Sequence, residues 1–143
     1  FMLPIRSAGE VTDLLEIRLL LEPRIVGSAA RDATDAQVKV LAKSLEREKA
    51  NIRADEPAPF IEANFQFRIN LFSMCRNKSL TRYALLCADH FQSYRIISFR
   101  EIANREVTVK YHQKIFDAVK KRDARQAEKA IRDLLKTARA RSK

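Results

Sequence analysis

Six polar side chains fall on the apolar faces of predicted helices, and their types point to anion binding. On helical wheels that turn roughly 100° per residue, the inward positions hold Arg18, Asn64, Arg68, Arg95 and His112, with Glu22 as one partner. A buried cation without a counter-charge is costly, whereas a guanidinium binds a carboxylate through two parallel hydrogen bonds. Excess inward positive charge therefore predicts a polar cavity for a small anion, such as a carboxylate.

Each inward position also has an interpretation that needs no ligand. Arg18 and Glu22 stand four residues apart and can pair with each other. Arg68 can pair with an internal carboxylate, and Arg95 can be a surface residue just past the edge of its apolar arc. A lone inward histidine such as His112 is more often a satisfied core residue than a ligand. The cavity is favoured because the five positions occur together in one small bundle.

Helices must position these side chains, because the composition favours little else. The 143 residues include only two glycines and four prolines, so turns are scarce, and no clear alternation of apolar and polar residues predicts a strand. A capping box begins at Thr34, while Thr12 or Asp13, Ser79 and Asp123 can begin other helices. The predicted helices span about 12–31, 34–54, 57–75, 79–99, 106–121 and 123–140.

These elements predict an all-α fold, an antiparallel bundle of about six to seven helices joined by short loops. Residues 1–11 are expected to be a lead-in, residues 12–143 one domain, and residues 100–105 a loop. No run of about 18 apolar residues predicts a membrane span. Cys75 and Cys87 lack zinc-site spacing and are expected to be buried free thiols, as in a reducing cytoplasm.

The net charge of +10 leaves two interpretations open. Lysine and arginine can coat the solvent faces of helices, or they can bind nucleic acid. A basic helical module that binds nucleic acid or a protein directly is thus an alternative function, and the tail supports it through Lys136, Arg139, Arg141 and Lys143. An enzyme is not expected, because there is no nucleophile with a base, no phosphate loop and no inward pair of carboxylates.

Over residues 12–138 the chain resembles the FCD domain, the C-terminal effector-binding domain of one subfamily of GntR regulators. The opening segment LLEIRLLLEPRIVGSAA is similar to the family's first helix, and Thr34-Asp35 begins the next helix as in the family. The family pattern of Asp or Asn, Phe-His, Gly-Asn and Leu is matched in spacing by Asn64, Phe67, Arg68, Asn77 and Leu80. A later His, Ile, Asp and Ala are matched by His112, Ile115, Asp123 and Ala127.

Many FCD domains resemble each other in a site where one Asp or Asn and three His bind a zinc-like divalent metal. The corresponding positions here are Asn64, Arg68, His112 and Leu134. Leucine has no ligand atom and arginine is a permanent cation, so two of the four positions do not ligate. This departure from the family pattern predicts no cofactor and direct, metal-free recognition of an anionic or acyl-type ligand, with Arg68 in place of the metal's charge. A zinc-like divalent metal remains the alternative.

The resemblance also implies how such a domain would act. GntR regulators carry an N-terminal winged helix-turn-helix, and there is no room for one before residue 12, so this DNA-binding domain is expected to be absent from the chain. The implied assembly is a cytoplasmic homodimer that contacts DNA through the missing domain. Binding of a small anionic metabolite would favour one arrangement of that dimer.

Overall fold

A computed structural model describes residues 7–141, which form six helices and no strand. The helices are α1 (Ala8–Asp32), α2 (Asp35–Ala50), α3 (Ala58–Ser73), α4 (Lys78–Ser98), α5 (Ile102–Lys120) and α6 (Ala124–Arg141). The all-α helical bundle predicted from the sequence is therefore confirmed. Of the predicted lead-in, residues 1–6 lie outside the described residues, whereas Ser7 and the residues after it belong to α1 and its cap.

Side-chain caps explain where four of the helices begin, and the predicted cap of α6 is confirmed because Asp123 accepts from the Gln126 amide at 3.1 Å. Thr34 forms the predicted capping box, since its Oγ1 accepts from the Gln37 amide at 3.1 Å and its amide donates to Gln37 Oε1 at 2.8 Å.

The predicted start of α1 at Thr12 or Asp13 is wrong, because the Ser7 hydroxyl already accepts from the Glu10 amide. Likewise Asn77, not the predicted Ser79, caps α4.

Helix α5 begins four residues before its predicted start, so most of the expected loop at 100–105 is helical. Its N-cap, Glu101, makes no side-chain cap hydrogen bond, which is why the sequence carries no start signal there. Arg105 in its first turn is buried and donates to the backbone carbonyls of Phe99, Ile52 and Ala54 at 2.7, 2.8 and 2.9 Å. Arg105 thereby fastens the ends of α2 and α4 to the start of α5.

Helix α1 is the central element, because it packs against α3, α4, α5 and, most extensively, α6. Small residues let α1 and α6 approach closely: a Cβ added at Gly27 would collide with the side chain of Glu128. The aliphatic and aromatic core lies between the helices, and Cys75 and Cys87 are free and buried in it, as predicted. No helix within residues 7–141 is both long and apolar enough to cross a membrane.

Candidate anion-binding cavity

A small cavity lies where α1, α3, α4, α5 and α6 meet. Its volume is about 40 Å³, which is room for roughly three water molecules. The five residues predicted to point inward all line it and all are buried: Arg18, Asn64, Arg68, Arg95 and His112. None of the described residues that line this cavity is acidic. The five side chains that the helical wheels turn inward thus line one cavity, and ligand binding by them stays a prediction.

Arg18 and Glu22 form a bidentate ion pair on α1. Arg18 Nε and Nη2 donate to the two carboxylate oxygens of Glu22 at 2.5 and 3.1 Å, and both side chains are buried. Burial alone would raise the pKa of Glu22, but the guanidinium of Arg18, followed by those of Arg68 and Arg95, outweighs burial and lowers it. Glu22 is thus ionised and neutralises one of the cations, as the ligand-free interpretation of this pair expected.

Arg68, on α3, has no such carboxylate. Its Nε and Nη2 atoms are buried and have no hydrogen-bond partner, although these are the two atoms with which Arg18 holds Glu22. Burial lowers the pKa of Arg68 to about 10, and the positive charge of Arg18 adds to this effect. Arg68 therefore remains charged at neutral pH and presents an empty fork of two N–H groups.

Arg95, on α4, is partly satisfied. Its Nη1 donates to the carbonyl of Ala88 at 3.0 Å and to Gln92 Oε1 at 3.4 Å, while its Nη2 is buried without a partner. Burial, then the charges of Arg68 and Arg18, lower its pKa well below the usual range. The Phe91 ring lies 4.9 Å from the guanidinium carbons of both Arg18 and Arg95, which offsets part of the cost of burying these cations.

Glu48 organises the other polar residues of the cavity. Its carboxylate lies 2.8 and 3.0 Å from Nδ1 of His112 and accepts from Nδ2 of Asn64 at 3.1 Å. The His112 ring also stacks on Phe67 with a centroid distance of 4.2 Å. His112 is therefore hydrogen-bonded in the core, and it faces the cavity as well.

Sequence reasoning missed both Glu48 and Arg141. Glu48 continues the inward stripe of Leu41 and Leu45 on α2, a signal that was present in the spacing. Arg141, on α6, lines the cavity, donates through Nη1 to Asn104 Oδ1 at 3.0 Å, and has a buried Nε without a partner. A fourth guanidinium thus reaches the cavity from the last helix.

The position of Arg141 also bears on the nucleic-acid alternative. Of the four basic tail residues that motivated this alternative, Arg141 turns into the protein and Lys143 lies outside the described residues. Farther up α6, Lys129 pairs with Asp133 at 2.7 Å and Arg132 with Glu128 at 3.6 Å. These contacts reduce the positive charge that α6 presents to solvent.

A larger open groove of about 620 Å³ runs between α3 and α4, but its chemistry is different. Its walls include Ile61, Phe65 and Ile96, and its only charged lining residues among those described are Glu62 and Asp89. An acidic, open groove does not suit an anion. The small cavity is therefore the stronger candidate for an effector site, despite its lower volume.

The residues present do not fit the metal that the fold family implies. Arg68 and Leu134 occupy two of the four ligand positions and line the cavity, so a divalent cation would face a guanidinium and an aliphatic side chain. Asn64 and His112 are each already hydrogen-bonded to the carboxylate of Glu48 through one side-chain nitrogen. Within residues 7–141, no three His, Cys, Asp or Glu side chains converge in a way that could hold a metal ion.

Residues 13–137 match the family model of the FCD domain, and the chain therefore belongs to this family. FCD domains occur in GntR-family transcriptional regulators, a regulatory and not a catalytic family. The assignment agrees with the resemblance seen in the sequence. It also agrees with the expectation that the chain is not an enzyme.

Curated relatives of the chain are bacterial regulators. The HTH-type transcriptional repressor NanR of Citrobacter rodentium is 29% identical over 134 residues, which cover 92% of this chain and 51% of that protein. The uncharacterized HTH-type transcriptional regulator YdhC of Bacillus subtilis is 26% identical over 126 residues, covering 87% and 56%. The chain thus spans about half the length of the curated relatives it matches.

A solved structure shows the same fold. A GntR protein of Streptococcus agalactiae superposes with a TM-score of 0.81 at 22% sequence identity, covering 96% of this chain and 62% of that chain. At this identity the likeness concerns the fold alone. The fold thus agrees with the family match, which by itself identifies the chain as an FCD domain.

Proposed function

We propose that the chain is the effector-sensing and dimerisation domain of a bacterial, cytoplasmic regulator and binds a small anionic metabolite of the carboxylate or acyl type in the arginine-lined cavity. The site consists of Arg68, Asn64, His112, Arg18 and Arg95, to which Arg141 is added. DNA binding belongs to an N-terminal winged-helix domain of the regulator.

The observation that carries the proposal is the empty fork of Arg68. Arg18 uses Nε and Nη2 to hold the carboxylate of Glu22, and the same two atoms of Arg68 are buried with no partner. Buried polar groups in native proteins are nearly always hydrogen-bonded, and an unpaired buried cation is especially costly. A ligand carboxylate would fill the Arg68 fork as Glu22 fills that of Arg18.

Recognition is proposed to proceed without a metal. In an FCD site with four ligands, the metal would supply the positive charge that holds an anion. Here the guanidinium of Arg68 stands at one ligand position and the apolar Leu134 at another. The fixed charge of Arg68 thus substitutes for the metal's charge, and Leu134 makes its wall suitable for an aliphatic part of the ligand.

A thermal-shift screen of the metal-free chain tests this function. Small carboxylates, sugar acids and acyl-CoAs are each compared with the neutral amide or a non-acylated control, and divalent metals form a separate arm. A ligand that binds only the folded state at roughly 100 times its Kd stabilises it by about 2.7 kcal/mol. We expect one anion class to raise the Tm and its neutral analogue not to do so.

Two results of the screen would contradict the proposal. Stabilisation by a divalent metal alone, at one per chain, would show that the metal-free part is wrong. Equal stabilisation by an anion and its neutral amide would show that the arginines do not recognise charge.

A surface formed by α1 and α4 supports the dimer. Tyr83, Leu86 and Ile97 are exposed on α4 three and eleven residues apart, which places them on one face, and Ile17 and Leu20 are exposed on the neighbouring α1. Apolar side chains that repeat in this way form the seam between paired helices. A second copy of this chain would bury them, and a twofold axis would place the same stripe on both sides.

Leu86→Glu should weaken self-association by roughly tenfold or more, because a charge would be desolvated at the centre of the apolar stripe. Sedimentation velocity over a concentration series measures the dimerisation constant. Val40→Glu is the matched control, since Val40 on α2 is 51% exposed against 58% for Leu86. Equal effects of the two substitutions would mean that the dimer contact lies elsewhere. A wild-type chain that stays monomeric at every concentration would mean that it forms no dimer.

A further inference from the structure

The geometry points to a compact dianion as the ligand class of this cavity, with one charge in the fork of Arg68 and the second between Arg95 and Arg141. This inference rests on the proposed function and narrows it. It also assigns to Arg141, in the last turn of α6, the role of selecting the second charge.

The balance of buried charge favours two negative charges over one. Glu22 neutralises Arg18, and Glu48 is engaged with His112 and Asn64. Among the described residues that line the cavity, three guanidinium groups pair with no carboxylate of residues 7–141: Arg68, Arg95 and Arg141. Arg68 and Arg95 are buried, and Arg141 is half-buried. A monoanion would leave two of these cations uncompensated, whereas a dianion leaves one.

The unfilled N–H groups also fall into two sets. Arg68 offers Nε and Nη2, which together match one carboxylate or two oxygens of a phosphate. Arg95 has one buried N–H group without a partner, at Nη2, and Arg141 has one, at Nε. The Nη1 atoms of both residues donate to other groups, namely Ala88, Gln92 and Asn104. A carboxylate held by the Arg68 fork uses both of its oxygens there, so we assign a second charged group to the second set.

The second set is held in place by different helices. Arg95 is tethered to the carbonyl of Ala88 within α4, and Arg141 is tethered from α6 to Asn104 on α5. The cavity of about 40 Å³ admits only a few atoms without rearrangement. A compact dianion therefore fits the charge pattern. Short dicarboxylates and phosphate monoesters are both compact dianions, and either class of ligand could supply the two negative charges.

Isothermal titration calorimetry with charge-matched ligand pairs tests the inference. Succinate is compared with monomethyl succinate, and methyl phosphate with dimethyl phosphate, at about pH 8, where phosphate monoesters are dianions. The wild-type chain should bind at least one dianion about tenfold or more tightly than its monoanionic ester. The pair that shows the difference identifies the dicarboxylate or the phosphate source.

Two variants of the same helix assign the role of Arg141. Arg141→Gln should bring the affinity ratio of dianion to monoanion close to one, because it removes one of the two groups assigned to the second charge. Arg125→Gln, an exposed arginine of α6, removes the same charge and should keep the wild-type ratio. This control separates a contact in the cavity from a change in overall charge.

Each other outcome has a definite meaning. If a monoester binds the wild type as tightly as its dianion, the inference is wrong while anion binding itself stands. If Arg141→Gln weakens both members of a pair equally, Arg141 does not select the second charge. If none of the four ions binds, the inference is wrong for compact dianions, and the separate thermal-shift screen decides whether larger anions bind.

Discussion

Glu22→Gln should lower the free energy of unfolding by about 3–5 kcal/mol, the range for removing one partner of a buried ion pair. The carboxylate of Glu22 is fully buried, accepts both bonds from Arg18, and is the counter-charge nearest to the cations of the cavity. Glutamine keeps the size of the side chain and removes its charge. Urea unfolding followed by far-UV circular dichroism measures the loss.

The control for this prediction is Glu62→Gln on α3. Glu62 pairs with Arg47 at 3.7 Å, but its side chain is 73% exposed, and exposed ion pairs contribute about 0–1 kcal/mol. A second variant, Glu22→Gln combined with Arg18→Met, should recover part of the lost stability, because it removes the cation left unpaired. Equal losses for Glu22→Gln and Glu62→Gln would show that the buried pair is energetically neutral.

The same substitution should change how stability depends on pH. The pKa of Glu22 in the folded chain lies below its ordinary value of 4.5, so the stabilisation from this carboxylate is complete above that value. It is lost as the pH falls through the lowered pKa. The stability difference between wild type and Glu22→Gln should therefore be constant near neutral pH and shrink on acidification below about pH 4.5.

Arg68→Met should stabilise the ligand-free chain and abolish its response to anions. The lowering of the Arg68 pKa to about 10 corresponds to about 3 kcal/mol of unfavourable free energy in the folded state. This penalty is present at every pH below about 10 and is relieved only as the pH rises past it. Methionine fills much of the same space without charge, so we expect a gain of about 1–3 kcal/mol.

Arg82→Met is the matched control, because Arg82 is exposed on α4 and exposed substitutions usually change stability by less than about 0.5 kcal/mol. Urea unfolding and anion-induced Tm shifts are measured on both variants. A loss of several kcal/mol in Arg68→Met would mean that Arg68 has a structural partner, the ligand-free alternative for this residue. A Tm shift by anions that survives in Arg68→Met would move the binding site elsewhere.

Much of the cavity could be predicted because helices have a fixed period. Asn64 and Arg68 stand one turn apart between Phe60, Phe67 and Leu71, and the wheel therefore turns them towards the core. Arg18 and Arg95 follow from the same argument on α1 and α4, and the family resemblance added the order of the helices. The positions of inward side chains depend on local geometry, which the sequence specifies well.

Pairings across the bundle could not be predicted in the same way. Glu48 lies in a run of charged residues, and its partner His112 is 64 residues further along the chain. Only the packing of α2 against α5 therefore reveals the pair. Arg105 was missed because Glu101 provides no side-chain cap to mark the start of α5. Arg141 resembled a solvated tail, and its orientation depends on its contact with Asn104.

Helix α4 has two opposite faces, and this has a thermodynamic consequence. Arg95 and Phe91 face the cavity, whereas Tyr83, Leu86 and Ile97 face outward on the surface proposed to meet a second copy. A ligand that moves Arg95 would thus move helix α4, and the outward face of the same helix would set the arrangement of the two subunits. Coupling of this kind is reciprocal, with typical factors of about 5–150. Under the proposed function, a regulator bound to its operator would therefore have a different affinity for the effector than the free regulator. Promoter occupancy would then change the effector concentration to which the sensor responds.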